Sequence, residues 1–343
     1  MSGEVKTKKL FQYTYLLLIG GVIALLVGYF WLSQKQQRPG EPLEKVTLAE
    51  PTQPSAGPVY IAYIKGYFKD EGLDVTLQPH TSGKAALNAV LEGKADLAVV
   101  AETPIMFAVM RGEKIYAIAT LFTSEKNMAI IARKDRKISL PADLKGKRIG
   151  VSIGTNGEFF MDALLVMHGI PVKEVKAVSL TPEEMFDSLV KGEVDAVSTW
   201  HPHLIRLQKK FGERAITFYG DGIYTWTFNV AVMQEFAHKN PEVIQRVLRT
   251  LIKAVEFIRE NPDESRKIIA DYIRMDESLL RELWGIYNFG ITLEQSLLIN
   301  LENQTRWAIK NKLTDKTKVP NYLNFIYLDG LKAVKPEAVT IIR

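Results

Sequence analysis

Short β-branched runs alternate with stretches of helical spacing through most of this chain. A first run over 46–49 breaks into the proline-rich 50–58, after which Tyr60, Ile61, Ile64 and Phe68 share one face of a helix predicted over 59–68. A strand over 73–77 is followed by Thr81, Ser82, Gly83 and Lys84, which lead a helix ending at Gly93. The strand over 97–100 stops before Thr103, a good N-cap, and Pro104, a good first helical residue. Further strands are predicted over 115–121 and 148–153. A helix over 158–168 carries Phe160, Leu164, Val166 and Met167 at helical spacing, with Gly169 as its stop. Strands alternating with helices predict parallel βαβ units with helices on both faces of a sheet.

One unit recurs. Ser82 begins a helix, Gly93 ends it and Asp96 precedes a strand; Thr181, Gly192 and Asp195 repeat that order at the same spacing. Two lobes built from one kind of α/β unit would give this pattern. The β-rich stretches 128–132 and 226–233 are read as the crossings between them. Lobe 1 is then 46–132 with 226–343, and lobe 2 is 133–225. Beyond Pro241 helices are expected over 242–259, 263–272, 277–287 and 293–310, packed around lobe 1.

Between the strand at 148–153 and the helix at 158–168 lies the turn Gly154, Thr155, Asn156, Gly157. A strand that breaks into a helix leaves the first helical N–H groups unpaired, and the dipole adds positive potential there. A carboxylate, sulfonate, phosphate or carbonyl oxygen suits such a place. The competing reading is an ordinary corner whose donors are capped by Thr155 or Asn156.

Charge changes the picture little. Lys and Arg exceed Asp and Glu by 5 in 343 residues. Much of that excess precedes Val46, where Lys6, Lys8, Lys9, Lys35, Arg38 and Lys45 face only Glu4, Glu41 and Glu44. The body is near neutral and gives no electrostatic case for nucleic acid. The segment 10–34 carries no charge, and 13–32 is long enough to span a bilayer, which takes about 20 apolar residues. It is read as an uncleaved transmembrane anchor, with a signal peptide as the alternative. Residues 1–12 would be a cytoplasmic tail, 33–45 a tether, and the body would lie outside the cytoplasm. The absence of cysteine excludes disulfides, cysteine catalysis and a lipid-modified cysteine.

Five phrases in this order carry a resemblance: VYIA at 59–62 with KGYFKDEGLDV at 65–75, LEGKADLA at 91–98, LKGKRIGV at 144–151, GEVDA at 192–196 and VPNYL at 319–323. Together they resemble the NMT1-like substrate-binding proteins of ABC transporters for nitrate, sulfonates, taurine and thiamine-pyrimidine precursors. The likeness covers roughly 46–339. It implies a two-lobed α/β periplasmic-binding-protein fold of type II, hinge closure on a small solute in the cleft, and an ABC permease as partner. Carried onto this chain, the family's ligand positions fall on Gln53 and Ser55, Thr81 and Ser82, and Glu102 and Thr103. The opposite lobe offers Thr155, Asn156 and Gly157, then Trp200 and His201. No cofactor and no metal are implied.

Glu102 is a departure, because its negative charge would repel a bare nitrate or sulfate. It is read either as a partner for an amine or ring N–H, or as a solvated residue before an N-cap. The first reading favours an amino-sulfonate or a pyrimidine-like solute, with Trp200 as an aromatic wall. His201 and His203 at i, i+2 lack a clear third ligand for metal. Tyr224 and Trp226 could line the cleft or pack the crossing segment, and packing is the reading preferred. Two other functions stay open: an enzyme on the same fold (thiamine-pyrimidine synthase or menaquinone-pathway lyase) and a sensory ligand-binding domain. The synthase relatives carry a cysteine-rich motif that this chain lacks.

Overall fold

The computed structural model describes residues 42–220, 222–223 and 225–342. The expected cytoplasmic tail and anchor, most of the tether, and Tyr224 lie outside the described residues. Among the described residues no helix is long and apolar enough to cross a membrane.

The chain opens with β1 (Glu44–Pro51), which takes in the last residues of the expected tether. A single 3-10 turn, Pro54–Ala56, leads into α1 (Gly57–Ile64). The helix expected over 59–68 breaks at Gly66, whose φ of 76° is left-handed, and resumes as α2 (Tyr67–Asp70). Then come β2 (Leu73–His80), α3 (Gly83–Leu91), β3 (Leu97–Ala101), α4 (Glu102–Arg111) and β4 (Ile115–Ser124). The next run is β5 (Met128–Arg133), β6 (Arg148–Val151), α5 (Asn156–Met167), β7 (Lys176–Ser179) and α6 (Pro182–Lys191). It continues with β8 (Ala196–Trp200), α7 (His203–Phe211) and β9 (Ala215–Tyr219). Last come β10 (Trp226–Met233), α8 (Gln234–Lys239), α9 (Pro241–Glu260), α10 (Pro262–Ile273), α11 (Glu277–Leu283), β11 (Asn288–Thr292), α12 (Gln295–Lys310) and α13 (Leu328–Val334).

Two sheets result, one per lobe. The first runs β11-β4-β10-β3-β1-β2 and the second β7-β6-β8-β5-β9. The expected parallel pairing is present for β1 with β2 and β3, and for β6 with β7 and β8. Each sheet also holds an antiparallel insertion. β10 lies between β3 and β4 and runs against both, as β5 does between β8 and β9.

This moves one expected lobe boundary, since 128–132 joins lobe 2, while lobe 1 resumes at Trp226 as expected. The stretches expected to cross between lobes are central strands, β5 wholly in the second sheet and β10 wholly in the first. The chain passes between sheets at 125–127 and again between β9 and β10. A continuous apolar run marks a strand buried on both faces, and such a run carries no sign of which sheet it joins. β11 occupies the gap between the helices expected over 277–287 and 293–310.

Local signals explain the helix starts. Thr181 and Glu184 form a capping box: the Thr181 hydroxyl accepts from Glu184 N at 3.3 Å, and the Glu184 carboxylate accepts from Thr181 N at 2.8 Å. Thr181→Ala is therefore expected to cost about 1 kcal/mol, read as a lower urea midpoint at unchanged slope. α3 starts at Gly83 for a different reason. A Cβ there would stand 3.0 Å from Val100 Cα, so only glycine lets this helix seat on β3.

Candidate functional site

Parallel strands of one sheet end their carboxyl sides at the same edge, which is where open α/β sheets gather ligand-binding loops. In lobe 1 that edge carries Gln53 after β1, Ser82 and Gly83 after β2, and Ala101 with Pro104 after β3. Lobe 2 faces it with Thr155 and Asn156 after β6 and Trp200 at the end of β8. These residues, with Lys84, Trp226 and Phe228, line a cavity between the lobes.

The lobes are shut on one another. The Trp200 indole N–H donates to Gln53 Oε1 at 3.0 Å, Lys84 Nζ to the Ile153 carbonyl at 2.7 Å, and the Trp307 indole N–H to Asp162 Oδ2 at 2.8 Å. Each of these bonds joins lobe 1 to lobe 2. The cavity they enclose is about 10 Å³, room for roughly one water molecule. An organic solute enters only when the lobes part.

Of the residues expected to bind ligand, Gln53, Ser82, Thr155, Asn156 and Trp200 line the cavity. Their bonds differ from the expectation. Ser82 Oγ caps its own helix by accepting from Ala85 N at 3.2 Å. Thr155 Oγ1 accepts from Gly157 N at 3.1 Å, and the Glu158 carboxylate accepts from Gly154 N at 2.7 Å. Two amides of the turn are thus satisfied locally, as in the capped-corner reading. Asn156 Nδ2 is 3.2 Å from Met128 Sδ, a weak acceptor that leaves most of its donor capacity unspent.

Ser55, Thr81, Glu102, Thr103, Gly157 and His201 are not on the wall. Thr81 is exposed, whereas Ser55 and Thr103 are buried with hydroxyls that have no partner among the described residues. Gly157 sits behind the wall, its carbonyl accepting from Ser198 Oγ at 2.8 Å. His201 is buried, and burial pushes its imidazole down to about 4, so it is neutral near pH 7. The same cause takes His203 to about 4. Among the described residues no three His, Cys, Asp or Glu side chains come together to hold a metal.

Glu102 is neither a cleft residue nor a solvated one. It is fully buried at the start of α4. One carboxyl oxygen accepts from Thr227 N (3.1 Å) and Thr227 Oγ1 (3.0 Å), and the other from Gln304 Nε2 (2.8 Å). The group ties α4 to β10 and α12. Burial raises its pKa to about 7 against the opposing pull of these bonds. A similar case is Glu50, buried and raised to about 7, its carboxyl bonded to the Tyr60 hydroxyl.

Two wall residues were not among the expected ligand positions, although lining the cleft was one of the two readings of Trp226. Trp226 packs edge-on against Phe122 and Phe228, as predicted for a crossing aromatic, yet it also lines the cavity. Its indole N–H is buried with no partner among the described residues. Lys84 is the charged member of the wall. Its place directly after Gly83 was the available signal, because the first turn of a helix at a strand's end faces the cleft.

Over residues 53–265 the sequence matches the family described as NMT1/THI5 like. The chain belongs to that family. Among similar curated proteins is a putative binding protein of Brucella abortus (strain 2308), 26% identical over 223 residues, 64% of this chain and 68% of that protein. Another is the putative aliphatic sulfonates-binding protein of Bacillus subtilis (strain 168), 27% identical over 237 residues, 67% of this chain and 71% of that protein. Among solved structures, this NMT1/THI5-like chain superposes on the alkanesulfonate-binding protein SsuA from Xanthomonas axonopodis pv. citri bound to MOPS. The TM-score is 0.74 at 16% identity, covering 84% of this chain and 100% of that one. The fold is the two-lobed α/β fold of periplasmic binding proteins.

Proposed function

We propose that this protein is the solute-binding component of an ABC import system and captures a small organic anion of the sulfonate class between its lobes. The observation that carries the reading is the chemistry of the cavity wall. Lys84 is the charged residue among its lining, with its ammonium on the Ile153 carbonyl, and the lining also includes Trp226, whose N–H has no partner among the described residues, and Asn156. A donor-rich wall with one positive charge selects a ligand with several acceptor oxygens and a negative charge. Among the described residues that line the cavity none is acidic, Glu102 being bonded to Thr227 and Gln304 behind it. An amine therefore finds no counter-charge there, and a plain alkanesulfonate suits the wall better than an amino-sulfonate or an aminopyrimidine. The sulfonate-binding relatives support the same class.

Capture proceeds by hinge closure about the two connections between the lobes, β4 to β5 and β9 to β10, and the closed form is what a permease reads. The protein binds and releases its solute unchanged. It works outside the cytoplasm, with the uncharged 13–32 holding it near the permease and raising its effective concentration there. A thermal-shift titration with butanesulfonate, taurine and nitrate tests the class. The midpoint is expected to climb with butanesulfonate concentration, by about 2.7 kcal/mol of stabilisation at a hundred times Kd, and to respond less to taurine and least to nitrate. No response to any sulfonate at millimolar concentration would overturn the reading.

A further inference from the structure

Glu50, the last residue but one of β1, meets Tyr60 of α1 beneath the turn that carries Gln53 to the cavity, and both side chains are fully buried. The Tyr60 hydroxyl has three polar neighbours: Glu50 Oε2, the Pro51 carbonyl at 2.7 Å and the Gln53 backbone N–H at 3.3 Å. Gln53 in turn lines the cavity and accepts from the Trp200 indole of lobe 2. A stack on Tyr272 of α10, with ring centroids 4.3 Å apart, holds the Tyr60 ring in place.

The hydrogen count at this hydroxyl decides where the proton lies. A phenol has one hydrogen to give and lone pairs for incoming donors. Were Glu50 ionised, Oε2 and the Pro51 carbonyl would both need that one hydrogen, and one of them would face a bare oxygen. With Glu50 protonated, the acid donates to Tyr60, Tyr60 donates to the Pro51 carbonyl, and Gln53 N–H donates to Tyr60. Every contact then has its hydrogen. The surroundings agree. Glu50 Oε1 is buried with no partner, and among the described residues no Lys, Arg or His side chain bonds to this carboxyl. A buried charge left half unpaired costs far more than a neutral carbonyl in the same place. Burial accordingly raises Glu50 to about 7 and holds Tyr60 well above its ordinary 10.

We infer that Glu50 is a positioning residue for the solute site: as a neutral acid it donates to Tyr60, and Tyr60 then locks the 51–53 turn that presents Gln53 to the cavity. Its bearing on binding rests on the reading of the cavity as a sulfonate site. Glu50, Tyr60 and Gln53 all belong to lobe 1, so the lock does not depend on closure. Ionisation of Glu50 breaks it. A carboxyl raised in this way contributes fully at low pH, and the contribution is lost as pH climbs through about 7. The other titratable groups around it are Tyr60, Tyr272 with Tyr63 beside it, and on β2 His80, in register with Pro51. Burial takes Tyr272 up to about 12 and His80 below its ordinary 6.5.

Calorimetry with butanesulfonate on the full chain at pH 6 and pH 8 compares the wild type with Glu50→Gln, Glu50→Leu and Tyr60→Phe. An acid of pKa about 7 is about nine-tenths ionised at pH 8, so the wild type should bind about tenfold more weakly there than at pH 6. Glu50→Gln keeps a donor for Tyr60; it should match the wild type at pH 6 and show no such loss at pH 8. Glu50→Leu and Tyr60→Phe should bind more weakly at both. A merely structural role would give neither the pH profile nor the rescue by glutamine. Wild-type affinity equal within twofold at the two pH values, or the same pH loss in Glu50→Gln, would overturn the inference. A second measurement needs no solute. In protein labelled with heavy-nitrogen glutamine, the Gln53 backbone resonance, assigned by its loss in Gln53→Glu, should move with a midpoint near 7 in the wild type. In Glu50→Gln, which retains His80, it should stay in place. Should no sulfonate bind, the functional reading falls by itself and this resonance decides the lock: a Gln53 signal indifferent to pH in the wild type would overturn it.

Discussion

Glu102→Gln is expected to fold and to lose about 3 kcal/mol of the wild type's pH dependence. In the folded protein burial holds the Glu102 pKa at about 7, against an ordinary 4.5. A carboxyl whose folded pKa is raised stabilises fully below the unfolded value, and that contribution is lost as pH climbs through the folded one. Each pKa unit corresponds to about 1.4 kcal/mol, so the loss between pH 4.5 and 7 is about 3 kcal/mol. Glutamine cannot ionise and lacks this slope. Its carbonyl can still accept from Thr227, and its amide can donate to Gln304 Oε1, which has no partner among the described residues, once the Gln304 amide turns over. His201 and His203 act in the opposite direction, with stability rising as pH passes from about 4 to 6.5. Both are common to the two proteins and cancel in the difference. Urea unfolding at pH 5 and pH 8 reads it: the variant should gain on the wild type at pH 8. An equal pH slope in the two proteins would show that Glu102 is ionised without penalty.

Trp200→Ala should be the most damaging change to binding. The indole is buried between the lobes, bonded to Gln53 across the cleft, and faces His203 edge-on with ring centroids 6.0 Å apart. Removing a buried tryptophan costs about 3–5 kcal/mol through lost contacts and the cavity left behind. Part of that cost falls on closure, because the bond to Gln53 joins the lobes, whereas the contact with His203 lies inside lobe 2. A loss of about 3 kcal/mol is roughly a hundredfold in Kd. Calorimetry with butanesulfonate should find that loss, while circular dichroism of the unliganded variant stays like that of the wild type. Affinity within threefold of the wild type would remove Trp200 from the site.

Local chemistry was readable in the sequence, and pairing across long distances was not. The Thr181 box, the stop at Gly169 and the parallel strands around β1 and β6 follow from caps, glycines and β-branched runs within a few residues of one another. The position of β10 follows from nothing local. It joins Val99 to Val230 and Ala119 to the same residue, partners more than a hundred positions away. Strand ends placed Gln53, Ser82, Thr155, Asn156 and Trp200 at the cavity, because the edge of a parallel sheet is fixed by topology. Side-chain direction decided the rest. Glu102 lies one residue beyond β3, close enough to reach the cleft, and turns instead to Thr227 and Gln304, which only the folded chain brings near. Lys84 was missed for the converse reason. A lysine on the first turn of a helix looks like solvated surface until the opposite lobe supplies Ile153.

The place of β10 also sets an order of assembly. Lobe 2 is one continuous stretch, from β5 to β9, and holds every strand of its own sheet. Lobe 1 is not: β3 and β4 have no partner on their shared side until β10 arrives, after the whole of lobe 2 has been made. At about 5–20 residues per second of synthesis, the hundred residues between β4 and β10 are a delay of roughly 5–20 s. Lobe 2 can nucleate during that interval. The first sheet, whose β10 and β11 pairings each span more than a hundred residues, must form last and slowly. A nascent chain stalled before Trp226 would present the unpaired edges of β3 and β4 to any chaperone or to a second copy of itself.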